Sequence, residues 1–480
     1  MTTVFSNEKK FYIIVACTLA IMIGFGFLPP VGQITHEGMR ALWIFIGCVF
    51  AWCFGELVWS SVLGLVFLAI FNLGSMDGIW ASSFGNSSAV VMIVALIFCY
   101  AIKQCGLLSE IAKWLVGMKW ASKGPWLLVF VYSLASIVIG ALATNVIIPM
   151  VLLWALFYEM AKELDLKPHD PLSVIILCSI AVTGGIGVSL MPYGAIPVII
   201  QGAAKTFNPD YILNMGQYLL WNLIFAVAYL VISVLILKLL FGRKVKFNAV
   251  QKESYKMNLN TEGKISLAML ILVILAMVIP NFFPEGNALR DLFVNRLSII
   301  GTFMLASAIL MIIHVKGKPI LDIVEGIKNV PWSLMLLVGA ALGTSACLTA
   351  DNTGILPTIV DVLEPMLANK GPTTLMLIFL AIGLIMTNFI NDAVTSIIIY
   401  PIAAQFITNA GGSVMLFTLL FAQATIQGNL MPSGSVAGAM LHGNVEWMKS
   451  KEVFFYISIM EIIVLAVLLG VSFIGSGMNI

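Results

Sequence analysis

The stretches LMPYGAIPVIIQG (190–202) and LMPSGSVAGAMLHG (430–443) carry the same Leu-Met-Pro-x-Gly pattern, 240 positions apart in a chain of 480 residues. Each interrupts a long apolar run. Proline removes a backbone donor and clashes with the preceding turn, while glycine opens non-helical dihedrals, so Pro192-Tyr193-Gly194 and Pro432-Ser433-Gly434 are each expected to unwind a helix. A lone copy would read as a kink. Two copies, each downstream of an apolar stretch with polar residues at its centre, read as broken helices near the middle of a membrane. Unwound backbone is tolerated at that depth only where it is buried in protein or lines a cavity. Its freed carbonyls suit a cation, and the amides at a half-helix N-terminus suit an anion.

Composition requires the membrane: 60% of the residues are hydrophobic, 10% are charged, and mean hydropathy is +1.04. Apolar runs of about 20 residues match a hydrocarbon core about 30 Å thick. A net charge of +2, without a basic cluster interleaved with aromatics, gives no case for nucleic acid. The seven cysteines lie mostly inside apolar runs and show neither zinc-site pairing nor a disulfide framework. The four histidines are dispersed, and His36-Glu37 lacks the second histidine of a zincin helix. No catalytic cluster emerges, and no cofactor is expected.

Runs and breaks predict eleven spans, at 11–28, 39–55, 57–73, 87–104, 172–203, 217–240, 265–280, 298–314, 331–350, 414–441 and 453–475. The first run is too long for a signal-peptide core and has no small-residue cleavage pattern behind it, so it is expected to stay. Two further apolar stretches, 127–158 and 373–408, are polar in the middle and read as re-entrant helical hairpins. With the N-terminus in the cytoplasm, 20 of the 25 basic residues fall inside, and only Arg40, Lys205, Arg290, Arg296 and Lys370 fall outside. Eleven crossings then put the C-terminus outside the cell membrane.

The polar segment FGRKVKFNAVQKESYKMNLNTEGK (241–264) divides the chain into residues 1–240 and 265–480 and reads as a cytoplasmic linker. Thr144-Asn145 in ALATNVIIPM (141–150) is matched 243 positions later by Thr387-Asn388 in LIMTNFIND (384–392). Upstream of each, an apolar helix ends at a polar stop, in SAVVMIVALIFCYAIKQCGLL and in WSLMLLVGAALGTSACLTADNTGIL. If each half has an odd number of crossings, the halves are inverted repeats, with a site near the midplane between them. The fold class expected is an all-α polytopic membrane protein with eleven transmembrane helices and two re-entrant hairpins.

These residues resemble the divalent anion/sodium symporter family of the ion transporter superfamily. ITHEGMRALWIFIGCVFAWCF and FGNSSAVVMIVALIFCYAIKQCGLL look like its early helices, and VPWSLMLLVGAALGTSACLTADNTG looks like its ninth. The resemblance covers nearly the whole chain, as a divergent member. It implies a scaffold and a transport unit, a homodimer, an elevator-type motion, sodium as the coupling ion, and dicarboxylates, citrate or sulfate as substrates. Its Ser-Asn-Thr hairpin tips fall on Thr144 and Asn145 in the first half. In the second half they fall on Asn391 and Asp392 by counting back from Pro401, or on Thr387 and Asn388 by the internal repeat. In place of the family's Thr-Pro-Pro turns stand Gly194-Ala195-Ile196-Pro197 and Gly434-Ser435-Val436-Ala437.

The resemblance therefore gives a substrate set of Thr144, Asn145, Gly194, Ala195, Asn391, Gly434 and Ser435. The cation set is Asn145, Gly194, Thr387, Asn388, Asp392, Thr395 and Ser433. Asp392 stands out on physical grounds as well, since a carboxylate in an apolar stretch is costly unless paired or bound to a cation. Sodium would take it with nearby hydroxyls and turn carbonyls, a proton could occupy the same group, and a structural hydrogen bond is the plain alternative. The asparagines could equally be capping hairpin tips. No arginine or lysine lies inside the expected hairpins or broken helices, so an anion would be held by amides, hydroxyls, helix dipoles and the bound cation. The expectation is a cation-coupled secondary transporter of small organic dianions, C4-dicarboxylate or citrate ahead of sulfate. The closest rival is an antiporter of the same superfamily, exchanging dicarboxylates, inorganic oxyanions or Na⁺/H⁺.

Overall fold

The computed structural model describes the chain apart from residues 1, 55, 119–122, 209, 210, 212, 244, 246, 248–254, 285, 368, 433 and 478–480. The expected site residue Ser433 thus lies outside the described residues. Most of the described residues are helical, and one tiny antiparallel ladder pairs His314–Val315 with Lys318–Pro319.

The chain opens with α1 (Thr2–Leu19), which continues through a π turn and a 3-10 turn to Phe27. Then come α2 (His36–Phe54), α3 (Leu57–Ile70) and the short α4 (Met76–Ser83). A span, α5 (Ser87–Gln104), leads into the amphipathic α6 (Leu107–Val116) and the first hairpin, α7 (Pro125–Ala143) with α8 (Ile147–Glu163). The first broken span is α9 (Pro171–Leu190) with α10 (Ala195–Phe207), followed by α11 (Met215–Phe241). After the linker come α12 (Thr261–Val278), α13 (Ala288–Arg290), α14 (Ser298–Ile312) and α15 (Ile323–Lys328). Next is α16 (Trp332–Thr349), then α17 (Ile355–Leu367) and the second hairpin, α18 (Pro372–Thr387) with α19 (Asp392–Asn409). The second broken span is α20 (Val414–Thr425) with α21 (Val436–Gly443), and α22 (Ser450–Gly477) closes the chain. The order of span, short helix, hairpin, broken span and span therefore occurs twice, from α5 to α11 and from α16 to α22.

Both hairpins fall within five residues of their expected ends. Proline at the first helical position starts α7 and α18, where its missing N–H is not needed and its fixed φ suits the helix. Seven described helices are long and apolar enough to span a membrane singly, or nine if each of two bent pairs, 288–312 and 355–387, is one span. The expected count of eleven also takes in α1 and α2, of 18 and 19 residues, together with short apolar pieces. The apolar helices α3, α10 and α20 have only 14, 13 and 12 residues.

The core is built on α9, whose residues are all buried from Leu172 to Ser189. It lies against α7 with backbone touching backbone. A Cβ added to Gly140 would press on the Gly184 carbonyl, and one added to Gly187 would collide with the Ile137 carbonyl. Small residues permit such approach between membrane helices. This tight pair holds the first hairpin and the first break in fixed relation.

The two breaks differ in extent. In the first half the helix persists to Leu190 and only Met191–Gly194 is non-helical, whereas in the second every described residue from Ile426 to Ser435 is non-helical. The reason lies in the residues aligned before the proline. Ile186-Gly187-Val188-Ser189 is apolar and packed, but Gln427-Gly428-Asn429 supplies side chains that bond locally, with Asn429 Nδ2 donating to Gln427 Oε1 at 3.3 Å. A side chain from the second hairpin then replaces the helical ladder at Leu430.

The described part of the linker docks on α6. Glu110 accepts from the Tyr255 hydroxyl at 2.9 Å and from the Asn258 N–H at 3.1 Å. Burial nudges the Glu110 carboxyl up, but these bonds and Lys113 outweigh it and hold the carboxyl below the ordinary glutamate value.

Candidate functional site

The second hairpin folds its polar tip back on itself. α18 ends at Thr387, and Asn391 caps α19 by accepting the Ala393 N–H on Oδ1 at 3.0 Å. This places Asp392 in the first turn of α19, where the helix dipole favours a negative charge. Thr387 Oγ1 lies 2.9 Å from Asp392 Oδ1 and 2.5 Å from the Thr425 carbonyl oxygen. A hydroxyl has one proton to give, so it can serve only one of these acceptors. A carboxylate in this place calls for a further partner: its own proton or a cation.

The unwound segment 426–435 closes over this tip. The Asn388 Nδ2 group donates to the Leu384 carbonyl at 3.0 Å and to Glu461 Oε2 at 2.8 Å, while Asn388 Oδ1 accepts the Leu430 N–H at 2.8 Å. One asparagine thus ties the hairpin, the break and α22 together. His442 on α21 adds a second tie, with Nε2 2.9 Å from the Leu430 carbonyl oxygen.

Oxygen atoms converge where the break meets the tip. A point at the Cβ position of Gly434 lies 2.8 Å from the Gly428 carbonyl oxygen, 2.9 Å from that of Thr387 and 3.0 Å from that of Asn388. A point at the Cβ position of Gly428 lies 2.5 Å from Asp392 Oδ1, 2.8 Å from the Thr387 carbonyl oxygen and 3.0 Å from that of Gly434. Only glycine permits so close an approach of these oxygens. Carbonyls and one carboxylate gathered at the tip are the donor types that a hard cation takes.

Both positions left open by the sequence for the second tip therefore belong to one cluster. Thr387 and Asp392, five residues apart, meet across the same turn, with Asn388 and Gly434 beside them. Thr395 Oγ1 donates to the Ile390 carbonyl at 3.3 Å behind the tip. Asn391 and Ser435, expected to touch substrate, each use a side-chain oxygen as a cap, and Ser435 Oγ accepts the Gly438 N–H at 3.0 Å.

The first-half residues are placed differently. Thr144 takes a left-handed conformation (φ 51°) and ends α7, its N–H donating to the Gly140 carbonyl. Asn145 is exposed and accepts the Ile147 N–H on Oδ1 at 2.8 Å, starting α8. Gly194 precedes α10, which begins at Ala195. Among the described residues no hydrogen bond joins these four to the second-half cluster. The two breaks are linked instead through the helices behind them. Ser189 on α9 donates to the Ala422 carbonyl on α20 at 3.2 Å, Tyr218 on α11 donates to the Ser189 carbonyl at 2.6 Å, and Gln423 on α20 donates to Asn222 Oδ1 at 2.9 Å.

Two residues were not foreseen. Glu461 lies inside the apolar run VFFYISIMEIIVLAVLL (453–469), is 6% exposed, and has no hydrogen-bond partner for Oε1 among the described residues. Its signal was present, since an acidic residue within a membrane helix costs about 2.5–3.5 kcal/mol on insertion scales and marks function by default. The second is Lys205. Residues 204–207 continue the helix beyond the expected boundary, so a lysine does lie in a broken span, in the last turn of α10. Its Nζ is 2.6 Å from Ser87 Oγ.

The family model for citrate transporters (CitMHS) matches residues 41–425. The low-affinity phosphate transporter PHO90 of Saccharomyces cerevisiae is 24% identical over 268 residues, a match covering 55% of this chain and 27% of the yeast protein. The chain thus matches about a quarter of that relative's length. Among solved structures, the YdaH transporter of Alcanivorax borkumensis superposes with a TM-score of 0.60 at 14% identity, covering 93% of this chain and 99% of its own. MtrF of Neisseria gonorrhoeae, described as illuminating a class of antimetabolite efflux pumps, gives 0.55 at 13%, covering 96% and 93%. At such identities the likeness is one of fold.

Proposed function

The chain belongs to the citrate transporter family, within the ion transporter superfamily that its motifs resemble, and we propose that it is a cation-coupled secondary carrier of small organic anions, citrate or a C4-dicarboxylate. The observation that carries this reading is the cluster at the second hairpin tip, where Asp392 and the carbonyls of Thr387, Asn388, Gly428 and Gly434 gather around the two glycines of the break. Sodium fits this oxygen set, and a proton on Asp392 meets the same need for a partner. The cation brings positive charge to a tip that has no arginine or lysine, so an anion bound beside it is not facing Asp392 alone. Thr144, Asn145, Gly194 and Ala195 supply amide and backbone groups at the opposite tip. An inverted-repeat arrangement, a homodimer, an elevator motion and a cytoplasmic N-terminus belong to the same proposal.

A second reading, transport of an inorganic oxyanion, draws support from the relative described as a phosphate transporter. One experiment separates the two. Uptake of radiolabelled citrate, succinate and phosphate into proteoliposomes is measured under an inward sodium gradient, under a proton gradient, and with unlabelled substrate preloaded inside. Citrate or succinate uptake under a cation gradient supports the main reading. Phosphate uptake alone supports the second, and countertransport alone replaces symport by exchange.

A further inference from the structure

Lys205 points to a second anion site on the path to the first break. A cavity of about 150 Å³ lies between α5, α10 and α14, lined by polar groups of Lys205, Ser87, Gln201, Tyr211, Ser298 and Thr302 on an otherwise apolar wall. That volume is enough for a molecule the size of benzene, so it admits a carboxylate arm or a phosphate. Lys205 is half-buried, its Nζ bonds only to the Ser87 hydroxyl in the described structure, and among the described residues no acidic one lines the cavity. The Tyr211 hydroxyl is buried and has no hydrogen-bond partner among the described residues. Ser87 and Ser88 lie in the first turn of α5, where the helix dipole adds positive potential. A cation, an unused hydroxyl and a helix start on one cavity wall form a receptor for negative charge. Gln201 connects this cavity to the first break, because its Nε2 donates to the Pro192 carbonyl at 2.5 Å.

We propose that this cavity is a capture site for the carboxylate or phosphate group of a soluble anion, held by Lys205 and handed to the broken-helix site through Gln201. The inference rests on the anion-carrier reading above for its physiological meaning, but its occupancy is tested separately. Purified protein in phosphatidylcholine nanodiscs is treated with an amine-reactive acetylating reagent, and acetylation of Lys205 is followed by mass spectrometry with and without citrate, succinate or inorganic phosphate. Exposed Lys370 serves as the reference. The expected result is slower labelling of Lys205 in the presence of an anion, unchanged labelling of Lys370, and no effect of glycerol.

In proteoliposomes, Lys205→Gln is expected to raise KM by about tenfold or more with a much smaller change in kcat, and Lys205→Arg to restore most of the loss. Equal labelling with and without each anion, or a KM in Lys205→Gln equal to that of wild type while transport proceeds, overturns the proposal. Protection that appears only when phosphatidylglycerol is added to the nanodiscs assigns the cavity to lipid headgroups and also overturns it. If no anion is transported at all, the carrier reading fails, and protection of Lys205 still decides the capture site.

Discussion

Replacing Asp392 by asparagine keeps the shape of the hairpin tip and removes its charge. The Thr387 hydroxyl, 2.9 Å away, can still donate to an amide oxygen, so the turn keeps its hydrogen bond. What changes is the attraction for a cation bound at the tip. At a contact of about 2.5 Å and an effective dielectric of about 20, one charge pair has a gross attraction of about 6–7 kcal/mol. Much of that is cancelled by stripping water from the ion, and charge-assisted contacts net about 1.5–3 kcal/mol. Since 1.4 kcal/mol is tenfold in an equilibrium constant, half-maximal cation activation should move upward by about ten- to a hundredfold. The assay is initial uptake of citrate or succinate into proteoliposomes at a series of sodium concentrations, repeated at a series of pH values without sodium. Thermal unfolding in detergent should match wild type, because no buried partner is orphaned. If Asp392→Asn shows a wild-type cation curve, the carboxylate is not a coupling ligand, and the converging carbonyls are merely a turn.

Three further outcomes follow from the same geometry. Glu461→Gln retains an acceptor for the Asn388 amide, whereas Glu461→Ala leaves one of its two buried N–H groups unpaired at a cost of about 1–3 kcal/mol. A lowered melting temperature for the alanine variant alone checks this, and equal melting of both variants refutes the bridge through Asn388. Gly434→Ala puts a methyl group 2.8–3.0 Å from three carbonyl oxygens, so it should abolish cation-dependent uptake, whereas Gly443→Ala, open on all sides, should not. Gly187→Ala drives a Cβ into the Ile137 carbonyl and should destabilise the α7–α9 pair by about 1–3 kcal/mol, read as a fall in melting temperature.

Local chemistry explains which features could be read in advance. Prolines at 125 and 372 and the polar tips fix the hairpins nearly to the residue, because each signal acts within one turn of where it stands. The uncertain register at the second tip was a choice between two sides of a single loop, and the hydrogen bond between Thr387 and Asp392 reconciles them. Glu461 was harder to place, since its partner Asn388 lies 73 positions away and only the packing of α22 on α18 brings them together. Lys205 was misplaced by a boundary four residues short. Both of its neighbours in the cavity, Ser87 and Tyr211, stand on other elements.

The duplicated Leu-Met-Pro-x-Gly pattern thus specifies where the chain bends but not what each bend can bind. In the first half, Gly184 and Gly187 are consumed by close contact with α7, and the helix stays intact up to Leu190. In the second, Gly428 and Gly434 face carbonyls and a carboxylate, so the same residue type lets oxygen atoms gather at the break. Both membrane-embedded carboxylates near the breaks, Asp392 and Glu461, stand on that second side, and the adjacent Thr387 and Asn388 hold one each. The one lysine in a broken span stands on the first side. A cation bound at the second break and an anion arriving from the first would therefore meet with opposite charges facing, which is the arrangement that coupling one to the other requires.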